Sequence, residues 1–534
     1  MKNSLLVLSA ATITLLYSCG DKKSGGKATE AENFTTLEGK IKIGTDEKES
    51  VYYLTDPLDI SGDIRKKIFL KKDGSFKDTI QNIKPGNYIL TNGDGKTINL
   101  YLKNGQSIKI TTNATTEKLF MDSLSVKGSV ENQFLADYDK FKYKNIGEDA
   151  ETIFKADEKV FKAKLDSLKS KSENFINTYK GLPDAFKKET LTDLTYGVAA
   201  LLENYPSTHA QITQNAQYKV SDAYYDFTKT LTVNDEKLFK SNAKYRNYAV
   251  LEIQRQLFKD LKPKQGENTL DLIINKLKQA KYPAYINDYF LLQISAQGLQ
   301  SVPPYEQYEQ MWAQRINQQV QMFKQKNPNA QVPPLPTKDE IKARYDQESA
   351  MIVKNNEEVY GKISANMSSP DLKKILEETY TVIKGLKKGD VAPVIDVLDK
   401  DKEMDVVKEF KGKTIVVCFW NYASIEQSKE DLPAFEKLAT EFKDKEVVFV
   451  SINMDLANKA DKWNEDLKKS KFEGKSYRAY NDFNSKFIKM YGVVNRPLPR
   501  FVIIDKDGKI ANYDAPTATD IALKNEITSI LNVK

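Results

Sequence analysis

One apolar run decides the fold, Thr414-Ile415-Val416-Val417-Cys418-Phe419-Trp420. It leads into Asn421-Tyr422-Ala423-Ser424-Ile425-Glu426-Gln427-Ser428-Lys429-Glu430-Asp431-Leu432-Pro433, and a second apolar run, Val447-Val448-Phe449-Val450-Ser451-Ile452, follows further on. Segments with the pattern of amphipathic helices separate and follow these runs. Apolar strands that alternate with such helices favour a parallel or mixed sheet covered by helices. Residues 388–534 are therefore predicted to form an α/β domain.

Short motifs surround these two strands in a characteristic order. They are Gly389-Asp390-Val391-Ala392-Pro393, Phe410-Lys411-Gly412-Lys413, Phe419-Trp420, Tyr491-Gly492-Val493, Leu498-Pro499-Arg500-Phe501, Asp505-Lys506-Asp507-Gly508 and Asp514-Ala515-Pro516. In kind and order they resemble the thioredoxin-like envelope disulfide reductases, the TlpA and redoxin group. The resemblance implies a thioredoxin fold, and it implies that the segment from Phe419 to Pro433 descends from a thiol-disulfide active site.

The loop that this family uses for catalysis has no cysteine in this chain. Counted forward from the Phe-Trp pair, family spacing puts the two cysteines at Ser424 and Gln427. Counted back from the proline that closes the loop, it puts them at Ile425 and Ser428, so the loop has one extra residue. Thiol–disulfide exchange needs a thiolate, which a hydroxyl group cannot replace. We therefore predict no catalytic residue here and no dithiol redox chemistry.

Two neighbouring positions also carry predictions. The family has a buried, proton-handling carboxylate just before the Phe-Trp pair, and Cys418 stands there. A cysteine inside an apolar strand has a raised pKa and behaves as a small hydrophobe. Pro499 aligns with the family's proline whose preceding peptide bond is cis, beside backbone that pairs with an extended substrate. The resemblance thus implies a peptide-binding edge at Trp420, Tyr422, Pro499 and Arg500, and retained fold architecture is the alternative.

The composition excludes most catalytic constellations. The 534-residue chain has two cysteines, Cys19 and Cys418, and one histidine, His209. These cannot supply a zinc site of Cys and His ligands, and no nucleophile motif surrounds His209. The 81 basic and 74 acidic residues are interleaved, whereas nucleic-acid binding usually needs a concentrated basic stripe. We predict no metal, no cofactor and no nucleic-acid partner.

The N-terminus predicts where the protein is located. Residues 1–18 have the pattern of a signal peptide, with Lys2 before an apolar run too short to span a bilayer permanently. The run ends in Leu16-Tyr17-Ser18-Cys19, which resembles the bacterial lipobox, whose cysteine is lipidated. An ordinary signal peptide with an incidental cysteine is the alternative. The polar residues 19–33 are predicted to be a flexible tether. The chain is thus expected in the cell envelope, anchored through Cys19, with the outer membrane as the expected membrane.

The remaining residues divide into two regions. Residues 34–130 carry short alternating runs separated by turn signals such as Asp73-Gly74 and Asn104-Gly105, a pattern typical of an antiparallel β-sandwich or barrel. The phrases that carry a further resemblance are Asp73-Gly74-Ser75-Phe76, Pro85-Gly86-Asn87-Tyr88 and Lys127-Gly128-Ser129-Val130-Glu131-Asn132. They resemble the small β domain that precedes thioredoxin-like domains in many Bacteroidetes envelope lipoproteins.

Residues 131–387 carry apolar residues at helical spacing and are predicted to be helical. Recurring aromatics in this region, such as Tyr224, Tyr245 and Tyr248, are expected to form core, with a groove lining as the alternative. The predicted fold is multi-domain α+β, with an N-terminal antiparallel β-sandwich-like domain, a helical middle region and a C-terminal α/β thioredoxin fold.

The missing thiols set the predicted function. The chain is expected to be a lipid-anchored envelope protein whose degenerate thioredoxin-like domain binds or scaffolds a protein or peptide partner without being an enzyme. Two alternatives stay open. In the first, Cys418 and a partner's cysteine perform non-standard thiol chemistry, and the chain remains a thiol-disulfide oxidoreductase. In the second, the chain is an accessory lipoprotein subunit of an outer-membrane assembly, and its helical region recognises the partner.

Overall fold

The computed structural model describes residues 33–44, 51–60, 64–92, 95–146, 150–259, 261–303, 305–326, 331, 334–399, 402–427, 429–455, 460–469, 472–479, 485–493 and 498–532. The predicted signal peptide, the predicted lipid-attachment residue Cys19, nearly all of the predicted tether and Ser428, predicted to be a degenerate active-site position, lie outside the described residues. The chain forms two compact units, Met1–Phe290 and Leu291–Lys534.

The first unit begins with eight strands and one short helix. They are β1 (Phe34–Lys42), β2 (Val51–Thr55), β3 (Ile64–Phe69), β4 (Ser75–Gln81), β5 (Gly86–Thr91), β6 (Thr97–Leu102), β7 (Ser107–Asn113), α1 (Glu117–Ser123) and β8 (Ser125–Lys127). The strands form two four-stranded sheets with the orders β4-β1-β7-β8 and β3-β2-β5-β6. Alternate side chains of both sheets enter one shared apolar core, which includes Leu37, Leu54 and Ile108, each fully buried.

One strand pair differs from the predicted antiparallel pattern. β1 and β7 run parallel, with Thr36 opposite Ser107 and Lys42 opposite Asn113. The intervening strands β2 to β6 form the second sheet and the β4 edge of the first, so the chain returns to β1 through a long connection. Such a connection lets β7 enter the sheet in the same direction as β1, which a short hairpin cannot do.

The middle of the chain is helical. Its helices are α2 (Val130–Ile146), α3 (Ala150–Lys155), α4 (Glu158–Thr178), α5 (Asp184–Ile212), α6 (Glu236–Ser241), α7 (Ala243–Phe258), α8 (Thr269–Ala280), α9 (Ala284–Gly298), α10 (Tyr305–Lys326), α11 (Lys338–Asn366) and α12 (Pro370–Lys384), with a 3-10 helix at Asp222–Thr230. The start of α11 shows how sequence sets these bounds, because Thr337 and Glu340 form a reciprocal capping box there. Among the helices that the structure describes, none is both long enough and apolar enough to cross a membrane.

Aromatic residues of this region pack inward. Tyr205, Tyr224, Tyr245 and Tyr248 are each 0% exposed, so these rings are core and do not line a groove. His209 is buried on α5, and its Nδ1 lies 2.8 Å from the carbonyl oxygen of Phe154. The chain's single histidine is therefore part of the packed interior of the helical region.

The C-terminal part of the second unit is built on one mixed sheet. Its elements are β9 (Asp396–Asp399), β10 (Lys402–Asp405), α13 (Val406–Glu409), β11 (Thr414–Trp420), α14 (Tyr422–Gln427), α15 (Asp431–Glu441), β12 (Val447–Asn453), α16 (Ala460–Lys469), β13 (Lys475–Ala479), α17 (Lys486–Met490), β14 (Arg500–Ile504), β15 (Ile510–Ala515) and α18 (Ile521–Asn532). The strand order is β10-β9-β13-β12-β11-β14-β15, with β11 parallel to β12 and antiparallel to β14.

The central strand β11 has apolar residues at six of its seven positions. All seven of its residues are buried. Ile415, Val417 and Phe419 enter the core on one face of the sheet, and the alternate residues enter a second core on the other face. A strand buried on both faces needs apolar residues at every position rather than at every second one.

Candidate functional site

The predicted active-site loop leaves the sheet at the end of β11. Trp420 is the last residue of β11 and the point where the loop begins, and it is only 6% exposed. Its indole Nε1 donates a hydrogen bond of 2.8 Å to Ser451 Oγ on the neighbouring strand β12. The first residue of the loop is thus fixed to the sheet rather than presented to solvent.

Ser424, one of the positions where family spacing expects a cysteine, serves the backbone of the loop. Its N–H donates to Asn421 Oδ1 at 2.7 Å, and its hydroxyl donates to the Asn421 carbonyl oxygen at 2.8 Å. The Ser424 oxygen also lies 3.1 Å from the Asn421 N–H, which donates to it. This reciprocal pairing resembles a capping box and starts α14. The Ser424 side chain is 5% exposed, so its hydroxyl is committed to the fold. Gln427 ends the same helix.

Cys418 lies in the central strand β11, directly before Phe419 and Trp420 in the sequence. It is a free, fully buried thiol at 0% exposure. Burial raises the pKa of this thiol well above its ordinary value, and the negative charge of Asp431 adds to that increase. The thiolate that redox chemistry requires is therefore strongly disfavoured at Cys418.

Asp431 is a residue that the sequence reasoning quoted without giving it a role. It begins α15, is 5% exposed and accepts a hydrogen bond of 2.9 Å from Thr519 Oγ1. Its charge acts on Cys418, so the domain does contain a buried carboxylate near the former active-site strand. The only signal in the sequence was an acidic residue two positions before Pro433, which is also what an ordinary helix N-terminus shows.

Tyr422 connects the loop to the next strand and helix. Its N–H donates to Asp455 Oδ2 and its hydroxyl donates to Asp466 Oδ2, both at 2.8 Å. The Lys462 ammonium lies 3.8 Å from the centre of its ring. Burial and then the hydrogen bond with Asp466 raise the pKa of the Tyr422 phenol. Tyr422 is thus a neutral structural link between three elements.

The predicted peptide-binding edge has the expected peptide bond but not exposed side chains. The Leu498–Pro499 bond is cis, and Pro499 is buried. Arg500 is 4% exposed, and its guanidinium donates to Tyr491 O at 3.2 Å, Tyr513 O at 2.7 Å and Asp514 Oδ1 at 2.8 Å. The Arg500 guanidinium thus makes three hydrogen bonds within the fold, and the peptide-binding role expected for Arg500 stays a prediction.

The two aromatic side chains of that predicted edge are buried as well. Trp420 is 6% and Tyr422 9% exposed, so neither ring forms an open platform. β14, which follows Pro499, is paired with β11 on one side and β15 on the other. An added strand could therefore pair only with backbone that precedes β14, since β14 itself is an interior strand.

Comparison with known proteins agrees with this architecture. Residues 388–513 match the model of the AhpC/TSA family. The thiol-disulfide oxidoreductases ResA of Bacillus thuringiensis subsp. konkukian and of Bacillus cereus are each 30% identical over 125 residues. The match spans 23% of this chain and 66% of the length of those curated relatives.

Two solved structures are similar to the same part of the chain. The thioredoxin domain of a thiol-disulfide oxidoreductase from Bacteroides vulgatus is 23% identical, with 28% of this chain and 100% of that chain covered and a TM-score of 0.24. A thiol:disulfide interchange protein from a Bacteroides species is 24% identical, with 28% and 91% covered and a TM-score of 0.24. The C-terminal domain of this chain is a thioredoxin-like domain of the AhpC/TSA (redoxin) kind, homologous to thiol-disulfide oxidoreductases.

Proposed function

We propose that this chain is a lipid-anchored protein of the cell envelope whose thioredoxin-like domain binds a protein or peptide partner and performs no dithiol redox turnover. The relatives named above are thiol-disulfide oxidoreductases, and this chain shares their domain without the pair of cysteines in the loop. We also propose that the two N-terminal sheets are a β-sandwich of the kind that precedes such domains, and that Cys19 carries the lipid.

One observation carries the redox-inactive part of this proposal. The domain has a single thiol, Cys418, and that thiol is fully buried with a raised pKa. Disulfide exchange requires a thiolate that can reach the partner's sulfur. Ser424, at the former nucleophile position, has its hydroxyl hydrogen-bonded to Asn421 backbone and cannot form the mixed disulfide in any case.

A disulfide-reductase assay on the mature protein tests the proposal. We expect no turnover of a disulfide substrate above the uncatalysed rate, with an active family oxidoreductase measured in parallel as the positive control. Turnover by the wild-type protein that persists in Cys418→Ala would contradict the proposal, because the domain would then use a chemistry that needs no thiol of its own.

Thiol labelling separates this proposal from one-thiol chemistry at Cys418. In a Cys19→Ser variant Cys418 is the only cysteine, so the label reports one site. We expect labelling to be very slow in the folded protein and as fast as a free peptide thiol in denaturant, because the native thiol is buried. Rapid labelling of the folded protein would favour the oxidoreductase alternative.

A further inference from the structure

A cavity lies beside the former active-site strand, on the face of the sheet that α15 and α16 cover. Its volume is about 120 Å³. It is lined by aromatic rings from β11, α15, α16 and the segment that precedes β13, namely Trp420, Phe435, Trp463 and Phe472, and by the carboxylates Glu436 and Asp466. A cavity of roughly 150 Å³ holds one benzene-sized group. The volume therefore fits one side chain and not a nucleotide or other large cofactor.

The aromatic part of the lining is well fixed. Trp420, Phe435 and Trp463 are 6%, 0% and 5% exposed. The Phe435 and Phe472 ring centres are 5.7 Å apart, and Trp420 is held by its hydrogen bond to Ser451. Rings held in this way present their faces and edges at low cost in side-chain entropy.

The charged part of the lining has one sign. Asp466 is exposed on α16 and is held by the hydrogen bond of 2.8 Å from the Tyr422 hydroxyl, and Glu436 approaches from α15. No lysine or arginine is among the described residues that line the cavity. Lys462, on the same helix as Asp466, lies over the ring of Tyr422. Aromatic faces together with carboxylates attract an organic cation, by cation–π interaction and by direct charge pairing.

We propose that this cavity binds the side chain of an arginine from a partner protein, with the stem among the rings and the guanidinium against Glu436 and Asp466. A planar guanidinium stacks on aromatic rings and pairs with carboxylates in a defined geometry, which favours arginine over lysine. This assignment rests on the proposed binding function and names the chemistry that the partner presents.

Peptide titration on the full mature chain tests the assignment. The probes are acetyl-Gly-Arg-Gly-amide and the same peptide with citrulline, which has nearly the same shape without the charge. A Trp312→Phe variant leaves Trp420 and Trp463, both in the cavity lining, as the only tryptophans. We expect a saturable fluorescence change with the arginine peptide, binding about tenfold weaker for citrulline, and weakening of the arginine complex by salt.

Two conservative variants locate the binding. Asp466→Asn and Glu436→Gln should each weaken the arginine peptide by about threefold to tenfold. Glu441→Gln, also on α15 but paired with Lys524 outside the cavity, should leave it unchanged. Equal binding of the two peptides, or no saturable signal at millimolar concentration, would overturn the assignment without any variant being needed. Reductase turnover would instead overturn the proposed function alone, so the two failures are distinguishable.

Discussion

Arg500, directly after the cis peptide bond, carries a buried charge that is hydrogen-bonded to three residues from other parts of the domain. Its side chain is 3% exposed, whereas that of its ion-pair partner Asp514 is 57% exposed. Two of its other acceptors are backbone carbonyls, of Tyr491 and Tyr513. Removing the guanidinium therefore removes the hydrogen bonds to both carbonyl oxygens, whereas removing the Asp514 charge leaves both of these backbone contacts in place.

This asymmetry gives a prediction for the C-terminal domain. Arg500→Lys should lower the free energy of unfolding by about 2–3 kcal/mol, since an ammonium cannot reach three acceptors in the same geometry. Asp514→Asn should cost less than about 1 kcal/mol because the pair is half exposed to water. Urea unfolding followed by tryptophan fluorescence measures both variants. Equal losses would show that the ion pair, and not the backbone contacts, is what Arg500 supplies.

A second buried charge cluster lies between α5 and α7. Glu203 and Glu252 have side chains 2% and 3% exposed, and both accept hydrogen bonds from Arg255. Two carboxylates and one guanidinium leave one uncompensated negative charge. Burial, and then the neighbouring Glu252, raise the pKa of the Glu203 carboxyl from 4.5 to about 8. The raised pKa favours the protonated form of Glu203, which offsets the excess negative charge of the cluster.

The raised pKa predicts a pH dependence of stability. Between pH 4.5 and about 8 the folded chain keeps a proton that the unfolded chain has lost, so the free energy of unfolding should fall as pH rises through this window. Glu203→Gln should flatten that fall and be more stable than wild type above pH 8. Thermal unfolding of both proteins across the window measures this. Glu173→Gln, at a side chain 43% exposed, is the control and should follow the wild-type curve.

At the scale of elements, close contact between strands depends on one residue that has no side chain. Gly39 lies inside β1 with a φ of +158°, and a Cβ atom there would stand 1.7 Å from the carbonyl oxygen of Ile110 on β7. Any side chain at this position would push apart the parallel pair β1–β7. Gly86, at the start of β5, has open space around the corresponding position.

Alanine substitutions at Gly39 and Gly86 together test how closely β1 and β7 approach each other. Gly39→Ala should destabilise the N-terminal unit by at least about 2 kcal/mol, because backbone atoms must move to relieve the overlap. Gly86→Ala should change stability by less than about 0.5 kcal/mol. Thermal unfolding followed by circular dichroism compares the two variants. A tolerated Gly39→Ala would mean that β1 and β7 do not approach as closely as described.

At the scale of the whole molecule, the proposed lipid at Cys19 predicts how the chain partitions. Several acyl chains on one cysteine would hold the protein firmly on a membrane. Cys19→Ser should move the expressed protein from the membrane fraction to the soluble fraction and abolish metabolic labelling with an alkynyl fatty acid. Cys418→Ser, at the chain's other cysteine, is the matched control and should keep both properties. Retention of the label in Cys19→Ser would exclude lipidation at that residue.

The sequence by itself determined the α/β character of the C-terminal domain and the absence of a cysteine from the loop between Phe419 and Pro433. Periodicity reports burial on one or both faces of an element, which is why the six consecutive apolar residues 415–420 indicated a strand in a sheet covered by helices. Residues 388–534 contain one cysteine, Cys418, and a dithiol site within the domain needs two sulfur atoms.

Only the tertiary structure decided what the remaining polar residues do. Arg500 and Tyr422 had the character of exposed binding residues in sequence, yet Arg500 donates to residues brought to it by β15, and Tyr422 reaches Asp466 on α16. The parallel direction of β7, the effect of Asp431 on Cys418 and the aromatic cavity likewise arise from segments far apart in the chain. Local pattern carries no information about such partners, because their contacts form only when distant elements pack together.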